Sequence, residues 1–406
     1  MNASIRFAAV VACLASVTAF AQTSLPEGAG KALVETRCVG CHDLSNVTRS
    51  AYSRAEWLDN VHKMRNVGAK VSDAEMETLV DYLTHAFPEK PKPAAVIVPG
   101  EAKVTIREWF VPTLGARPHD PLLTPDGMLW YSGQFANHLG RLDPRTGTFK
   151  EFPLKTPNSG PHGLVADRDG NIWYTGNMAA LVGKLDPRTG AVTEYRMPDP
   201  AAKDPHTPIF DAKGRLWFTV QGGNQVGRID PATGEMKLVK SPTERSRPYG
   251  IVMNSKDVPF FDEFGTNKIA AIDPVTMAIR EWTLPNAGAR PRRIAITSDD
   301  MVWYTDYARG YLGRLDPATG KVTEWPSPSG PKSQPYGMLA DGDIIWYCES
   351  NTKPNTLVRF DPKTEKFQSW AIPSGGGIVR HMMRGADGRF ALALSGVNGV
   401  ALVEKR

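Results

Sequence analysis

Cysteine is scarce in this chain of 406 residues: Cys13, Cys38, Cys41 and Cys348 are its four thiols, too few and too scattered for a disulfide framework or a zinc site built from thiols alone. Long basic runs are missing as well, and a net charge of +5 spread over the chain gives no footprint for nucleic acid. No apolar run reaches the roughly 20 residues that a spanning helix needs, so no membrane span is expected. The longest, Phe7 to Phe20, sits behind Arg6 and ends in Ala19-Phe20-Ala21, an A-x-A cleavage pattern. Residues 1–21 therefore read as a signal peptide that takes Cys13 with it and sends the mature protein to the periplasm.

Two of the remaining cysteines are concentrated in Cys38-Val39-Gly40-Cys41-His42. Two thiols at this spacing can add to the vinyl groups of one haem, and the adjacent imidazole can reach the iron as proximal ligand. The motif reads as a c-type haem attachment site holding one covalent haem c. A zinc site would need further Cys or His at short spacing, and a redox dithiol would sit in a βαβ setting that this region lacks. Cys348 follows Trp346-Tyr347 in an apolar strand and reads as a buried, inert thiol.

Around the motif, Glu27–Thr36 and Arg54–Arg65 have helical spacing, the second through Trp57, Val61 and Met64. Ser72-Asp73-Ala74-Glu75 is a capping box that opens a third helix with Leu79, Val80, Tyr82, Leu83 and Phe87 on its apolar side. That helix stops at Pro88, and residues 89–103, rich in proline and lysine, read as an extended linker. Residues 24–88 resemble the class I cytochrome c domain. The resemblance implies an axial methionine before a Gly-containing loop and the last helix. Met64 holds that place, followed by Arg65 where the family usually has proline, and His62 and His85 are its rivals. A thioether favours ferrous iron and suits an electron carrier whose partner is a second redox protein.

The rest of the chain, 104–406, is repetitive. Gly140-Arg-Leu-Asp-Pro-Arg-Thr-Gly147 recurs at Gly183, Gly227 and Gly313, with degenerate copies from Ala270 and Val358. Successive starts lie 43, 44, 43, 43 and 45 residues apart, and one more step reaches the final apolar strand, which makes seven units. Units of this length built from short strands are blades of a β-propeller. In the second unit Leu164–Ala166, Ile172–Thr175, Leu181–Leu185 and Ala191–Tyr195 read as its four strands. The last unit has no room for an outer strand, so residues 104–111, which match Lys321–Trp325, are expected to complete it and remove a sheet edge. The fold class is thus multidomain: a small all-α domain followed by an all-β seven-bladed propeller.

Pro-His/Tyr-Gly at the start of several units, with Ile-Trp-Tyr-Thr and Gly-Arg-Leu-Asp after it, resembles the virginiamycin B lyase (streptogramin lyase) family of seven-bladed propellers. The residue after each turn proline is His119, His162, His206, Tyr249, Arg292, Tyr336 and, in the last unit, Arg380 or His381. The resemblance places these at the mouth of the central channel. Neutral imidazoles suit zinc, copper or iron, so His119, His162, His206 and His381 are candidate ligands for a divalent metal. A second ring follows the Trp-Tyr-Thr strand and contains Glu263, Asp306 and Glu349, which with His162 and His206 are the candidate catalytic residues. The family pairs such histidines with glutamates to bind magnesium and abstract a proton. Here Gly176 and Val220 stand at the corresponding places in the histidine-bearing blades. Asp316–Trp325 nearly copies the docking motif of quinoprotein propellers, with the tryptophan one residue late.

Three functions follow. The first is a periplasmic electron carrier whose propeller binds or oxidises a small substrate or docks a redox partner. The second is a streptogramin-type carbon–oxygen lyase with an appended cytochrome. The third is an interaction scaffold without catalysis. Elimination needs no electron carrier, so the haem motif favours the first.

Overall fold

Each repeat folds into four antiparallel strands because its turns are written into it. In the computed structural model, which describes residues 25–405, the second blade runs Pro161–Ala166, Ile172–Gly176, Leu181–Leu185 and Val192–Arg196. The first three strands are mostly buried and the outer one is half-buried or exposed. The Asp-Pro-x-Thr-Gly turn between the third and fourth strands ends on a glycine in the left-handed region, as at Gly147 (φ +75°) and Gly190 (φ +77°). Seven such sheets of four strands surround one axis.

The ring closes as expected. Val104–Phe110 pairs antiparallel with Gly399–Lys405, Val104 opposite Lys405 and Phe110 opposite Gly399, and so supplies the outer strand of the seventh blade. The chain's first strand thereby covers the edge its last would leave open.

Three repeat positions turn out to be one packing unit. The tyrosine of Trp-Tyr-Thr lies across the third strand, where only a glycine leaves room. A Cβ on Gly183 would stand 2.1 Å from Tyr174 Cζ, and one on Gly140 only 1.9 Å from Tyr131 Cζ. The phenol then donates to the glutamate of the outer strand, Tyr174 to Glu194 Oε1 at 3.1 Å and Tyr131 to Glu151 Oε1 at 2.9 Å. Gly183→Ala is expected to destabilise the propeller by about 1–3 kcal/mol through overpacking. Urea unfolding checks this, and a loss below about 0.5 kcal/mol would mean that Tyr174 moves aside freely.

Before the propeller come four helices: α1 (Lys31–Arg37), α2 (Ser45–Thr48), α3 (Arg54–Asn66) and α4 (Asp73–Ala86). They pack around one cluster that includes Val34, Trp57, Val61, Leu79, Val80 and Leu83. Both long helices begin in capping boxes. Ser53 N–H donates to Glu56 Oε2 and Ser72 N–H to Glu75 Oε2, each at 2.8 Å. The single turn α2 falls between the haem-type motif and α3, where the sequence shows no helical spacing. Within the stretch expected to be an extended linker, residues 93–102 run along the outer strand of the sixth blade, with Ser369 N–H bonded to Val98 O at 2.9 Å.

The helices also rest on one end of the propeller. Asn66 Nδ2 donates to Leu114 O at 2.8 Å, and Gly115 packs so close to α3 that a Cβ there would lie 2.5 Å from Lys63 N. A cleft of about 480 Å³ runs along this junction. No described helix is long and apolar enough to cross a membrane. The signal-peptide segment 1–21 lies outside the described residues.

Candidate functional site

The axial side chains are aimed by an irregularity shared by all seven inner strands. Pairing with the second strand shifts register just after the opening proline, between Pro161 and Leu164 in blade two and between Pro205 and Pro208 in blade three. A bulge of this kind re-aims the residue that follows. It is held by the hydroxyl of the Trp-Tyr-Thr strand, which ties one blade to the next: Thr175 Oγ1 accepts from Gly163 N–H at 2.9 Å and donates to His206 O at 2.6 Å. Ser132 makes the same bridge to His162 O and Thr219 to Tyr249 O. Sequence reading placed the axial residues but missed these clips, although the recurring hydroxyl was visible.

The structure stacks three of the four expected histidines, with His381 beside Asp120. The rings of His119 and His162 lie 3.6 Å apart, those of His162 and His206 3.8 Å, and His206 continues the stack onto Tyr249 at 3.8 Å. Burial, and after it the surrounding positive charge, holds all three imidazoles and His381 well below the usual histidine range, so they are neutral. Beyond Tyr249, its hydroxyl meets that of Tyr336, and Arg292 sits with its guanidinium carbon 4.0 Å from the Tyr336 ring and 4.1 Å from that of Tyr307.

Two central residues were not anticipated. Arg293, 1% exposed, reaches from blade five across the axis to Asp120 Oδ1 of blade one (3.2 Å), Thr207 Oγ1 of blade three (3.1 Å) and Arg380 O of blade seven (3.3 Å). Asp120 Oδ1 also lies 2.8 Å from His119 Nδ1, and Asp120 Oδ2 lies 3.8 Å from His381 Nε2. Burial raises the Asp120 carboxyl to about 6 against the opposing pull of Arg293. Asp262, which stands where other blades carry the clip hydroxyl, is pushed well above the carboxylate range by burial.

The acids expected to face the histidines do not join them. Glu349 accepts from Ser327 Oγ, Ser329 N–H and Thr356 Oγ1, and Asp306 accepts from Arg290 N–H and pairs with Arg309 at 3.1 Å. Glu263 accepts from Ser241 Oγ at 2.5 Å and is raised by burial to about 7. These carboxylates bind loops and neighbouring strands, and none of their hydrogen bonds reaches a histidine. Cys348 is buried against Met382 Sδ at 3.4 Å, and burial raises its thiol, as its inert reading requires. Trp325 of the quinoprotein-like stretch stacks on Trp303 at 5.5 Å, within the wall of blade five.

A divalent metal fits this centre poorly. Donor atoms of His119, Asp120 and His162 lie within 4.8 Å of one another, but the one ionised carboxylate is paired with Arg293, and Arg117, Arg292 and Arg380 add three further positive charges around it. The same charges act on Tyr336. Burial would raise its phenol, yet Arg292, Arg380 and Arg293 outweigh it and bring it down to about 8, whereas burial and the Tyr336 charge push its partner Tyr249 up. One tyrosine is therefore expected to titrate near pH 8 in the near-ultraviolet phenolate band, about two units below a free phenol, and to vanish in Tyr336→Phe. Titration of every tyrosine near pH 10 or above would refute it.

Fold and axis together define a seven-bladed β-propeller with a histidine- and arginine-lined polar centre. The model of the virginiamycin B lyase family matches residues 95–261. A streptogramin B lyase structure is similar at 25% identity and TM-score 0.68, covering 75% of this chain and 98% of its own. Virginiamycin B lyase from Staphylococcus aureus follows at 23% and 0.67, covering 74% and 99%. Hydrazine synthase from Kuenenia stuttgartiensis shares the fold at 16% and 0.59, covering 71% and 95%. No curated protein is similar in sequence to the chain. The chain carries a virginiamycin B lyase-like seven-bladed propeller.

Proposed function

We propose that the protein is a periplasmic electron-transfer protein carrying one covalent haem c on its helices, and that its propeller axis takes a small substrate or docks a redox partner. The observation that carries this reading is the disposition of Cys38 to His42. The two thiols are unpaired and lie in the turn just after α1, Cys41 exposed and Cys38 packed against the helical cluster. His42 Nδ1 is engaged with Asp43 O at 2.8 Å, which leaves Nε2 for iron. The two thiols and the imidazole suit the group: Cys38 and Cys41 would hold the porphyrin, and His42 with Met64 would ligate the iron. Haem would supply one-electron chemistry. What the chain itself does is hold the motif on helices that rest over one end of the propeller.

A dithionite-reduced spectrum of periplasmic protein tests the reading. A sharp α-band that persists after acid-acetone extraction is expected, and its absence would remove it. The lyase-like propeller supports elimination as a second reading. Turnover of a streptogramin without an electron acceptor would put that reading first.

A further inference from the structure

We propose that the propeller axis, at its mouth between Arg117, Arg292 and Arg380, binds a small carboxylate. The inference deepens the reading of the axis as a small-molecule site and rests on it.

Charge comes first. Guanidinium groups stay protonated, and a buried cation without a counter-charge is costly. Arg293 has Asp120, but no described carboxylate lies within 4.0 Å of Arg117, Arg292 or Arg380. Those three charges nonetheless act on one another and on shared neighbours. Arg380 acts on Arg117, both act on His162, and Arg292 and Arg380 act on Tyr336. Four guanidiniums thus stand against Asp120 and an Asp262 whose burial disfavours its charge.

Unsatisfied polar atoms come second, two of them guanidinium donors. Arg292 Nε, Arg380 Nε, His162 Nδ1 and His381 Nδ1 are buried without a hydrogen-bond partner, and His162 itself is only 2% exposed. Buried polar groups are almost always partnered, and four orphans around one axis mark a place where a partner binds. A carboxylate offers only acceptors, and its planar shape suits the guanidinium fork.

Shape comes third. Arg293 spans the axis by bonding across it to three other blades. Arg117, Arg292 and Arg380 are half-buried at the same end, and the aromatic rings of Phe264, Tyr307 and Tyr336 hold Arg292 with its carbon 4.7, 4.1 and 4.0 Å from their centres. Helix α3 lies above, and its Lys63 senses the charges of Arg117 and Arg380. This end of the axis therefore sets cations against aromatic rings.

Titration calorimetry on the full haem-loaded chain tests this with three probes: benzoate, the neutral benzyl alcohol and inorganic phosphate. Benzoate is expected to bind, benzyl alcohol at least tenfold more weakly, and Arg380→Gln and Arg117→Gln each to weaken benzoate at least tenfold with an unchanged near-ultraviolet circular dichroism spectrum. The site is overturned if benzoate does not bind, if benzyl alcohol equals it, if phosphate binds more tightly, or if both folded variants bind benzoate normally. The reduced α-band is read in the same samples. Loss of that band alone would refute the haem reading and leave the carboxylate site standing.

Discussion

Arg293→Met is expected to lower the unfolding free energy by about 3–5 kcal/mol, the range for removing one partner of a buried ion pair. The side chain is 1% exposed and holds blade five to blades one, three and seven through Asp120, Thr207 and the Arg380 carbonyl. Methionine fills much of the volume but takes away the guanidinium bonded to Asp120, leaving neutral His119 and His381 beside it and Arg380 acting on it without a hydrogen bond. The pH dependence has a definite sign. Asp120 is already raised to about 6 with Arg293 present, and its removal raises it further. The unfolded carboxyl, near 3.9, ionises freely, so stability in the variant falls as pH rises above that value toward the folded pKa. Urea unfolding should show a larger deficit at pH 8 than at pH 5. Arg293→Met combined with Asp120→Leu should recover most of the loss, because an apolar pair carries no desolvation debt. A deficit below about 1 kcal/mol, or one indifferent to pH, would mean that water reaches the axis and solvates Asp120.

The propeller was legible because its signals are local. Asp-Pro-x-Thr-Gly turns and short alternating strands announce each hairpin, and the missing last strand could be matched to Val104–Trp109 because a closed ring leaves no unpaired edge. Equivalence around the axis was legible too, since a repeat puts His119, His162 and His206 at one level. Direction was not. Glu263, Asp306 and Glu349 recur as faithfully as the histidines, yet each pairs opposite the opening proline, one residue short of the bulge, and bonds elsewhere. In a strand one position decides the face. Arg293 was hidden for a related reason. In blade five, pairing resumes at Arg293, one residue earlier than in blade two, where it resumes at Leu164. Two consecutive arginines therefore serve the centre where the repeat predicts one. The single turn α2 was too short to show a helical period.

Cys38→Ala combined with Cys41→Ala is expected to abolish haem-dependent peroxidase staining of the denatured chain while the propeller still folds. The blades carry hydrophobic clusters of their own and close through Val104–Phe110, so their stability does not depend on the helical cluster. Persistence of the stain in the double variant would refute attachment at these thiols. The distal ligand is a separate question with a geometric answer. His62 lines the cleft between α3 and the propeller loops, and burial lowers its pKa there. His85 Nδ1 is bonded to Asp81 O at 2.7 Å on an exposed stretch of α4. Met64 follows His62 by two residues, roughly 200° around the helix, so it turns away from the propeller, and it is half-buried without joining the helical cluster. On the proposed haem reading, Met64→Ala should keep the covalent haem but lower its midpoint potential, since a thioether ligand raises it. An unchanged potential in Met64→Ala with a shifted one in His85→Ala would transfer the ligand to α4.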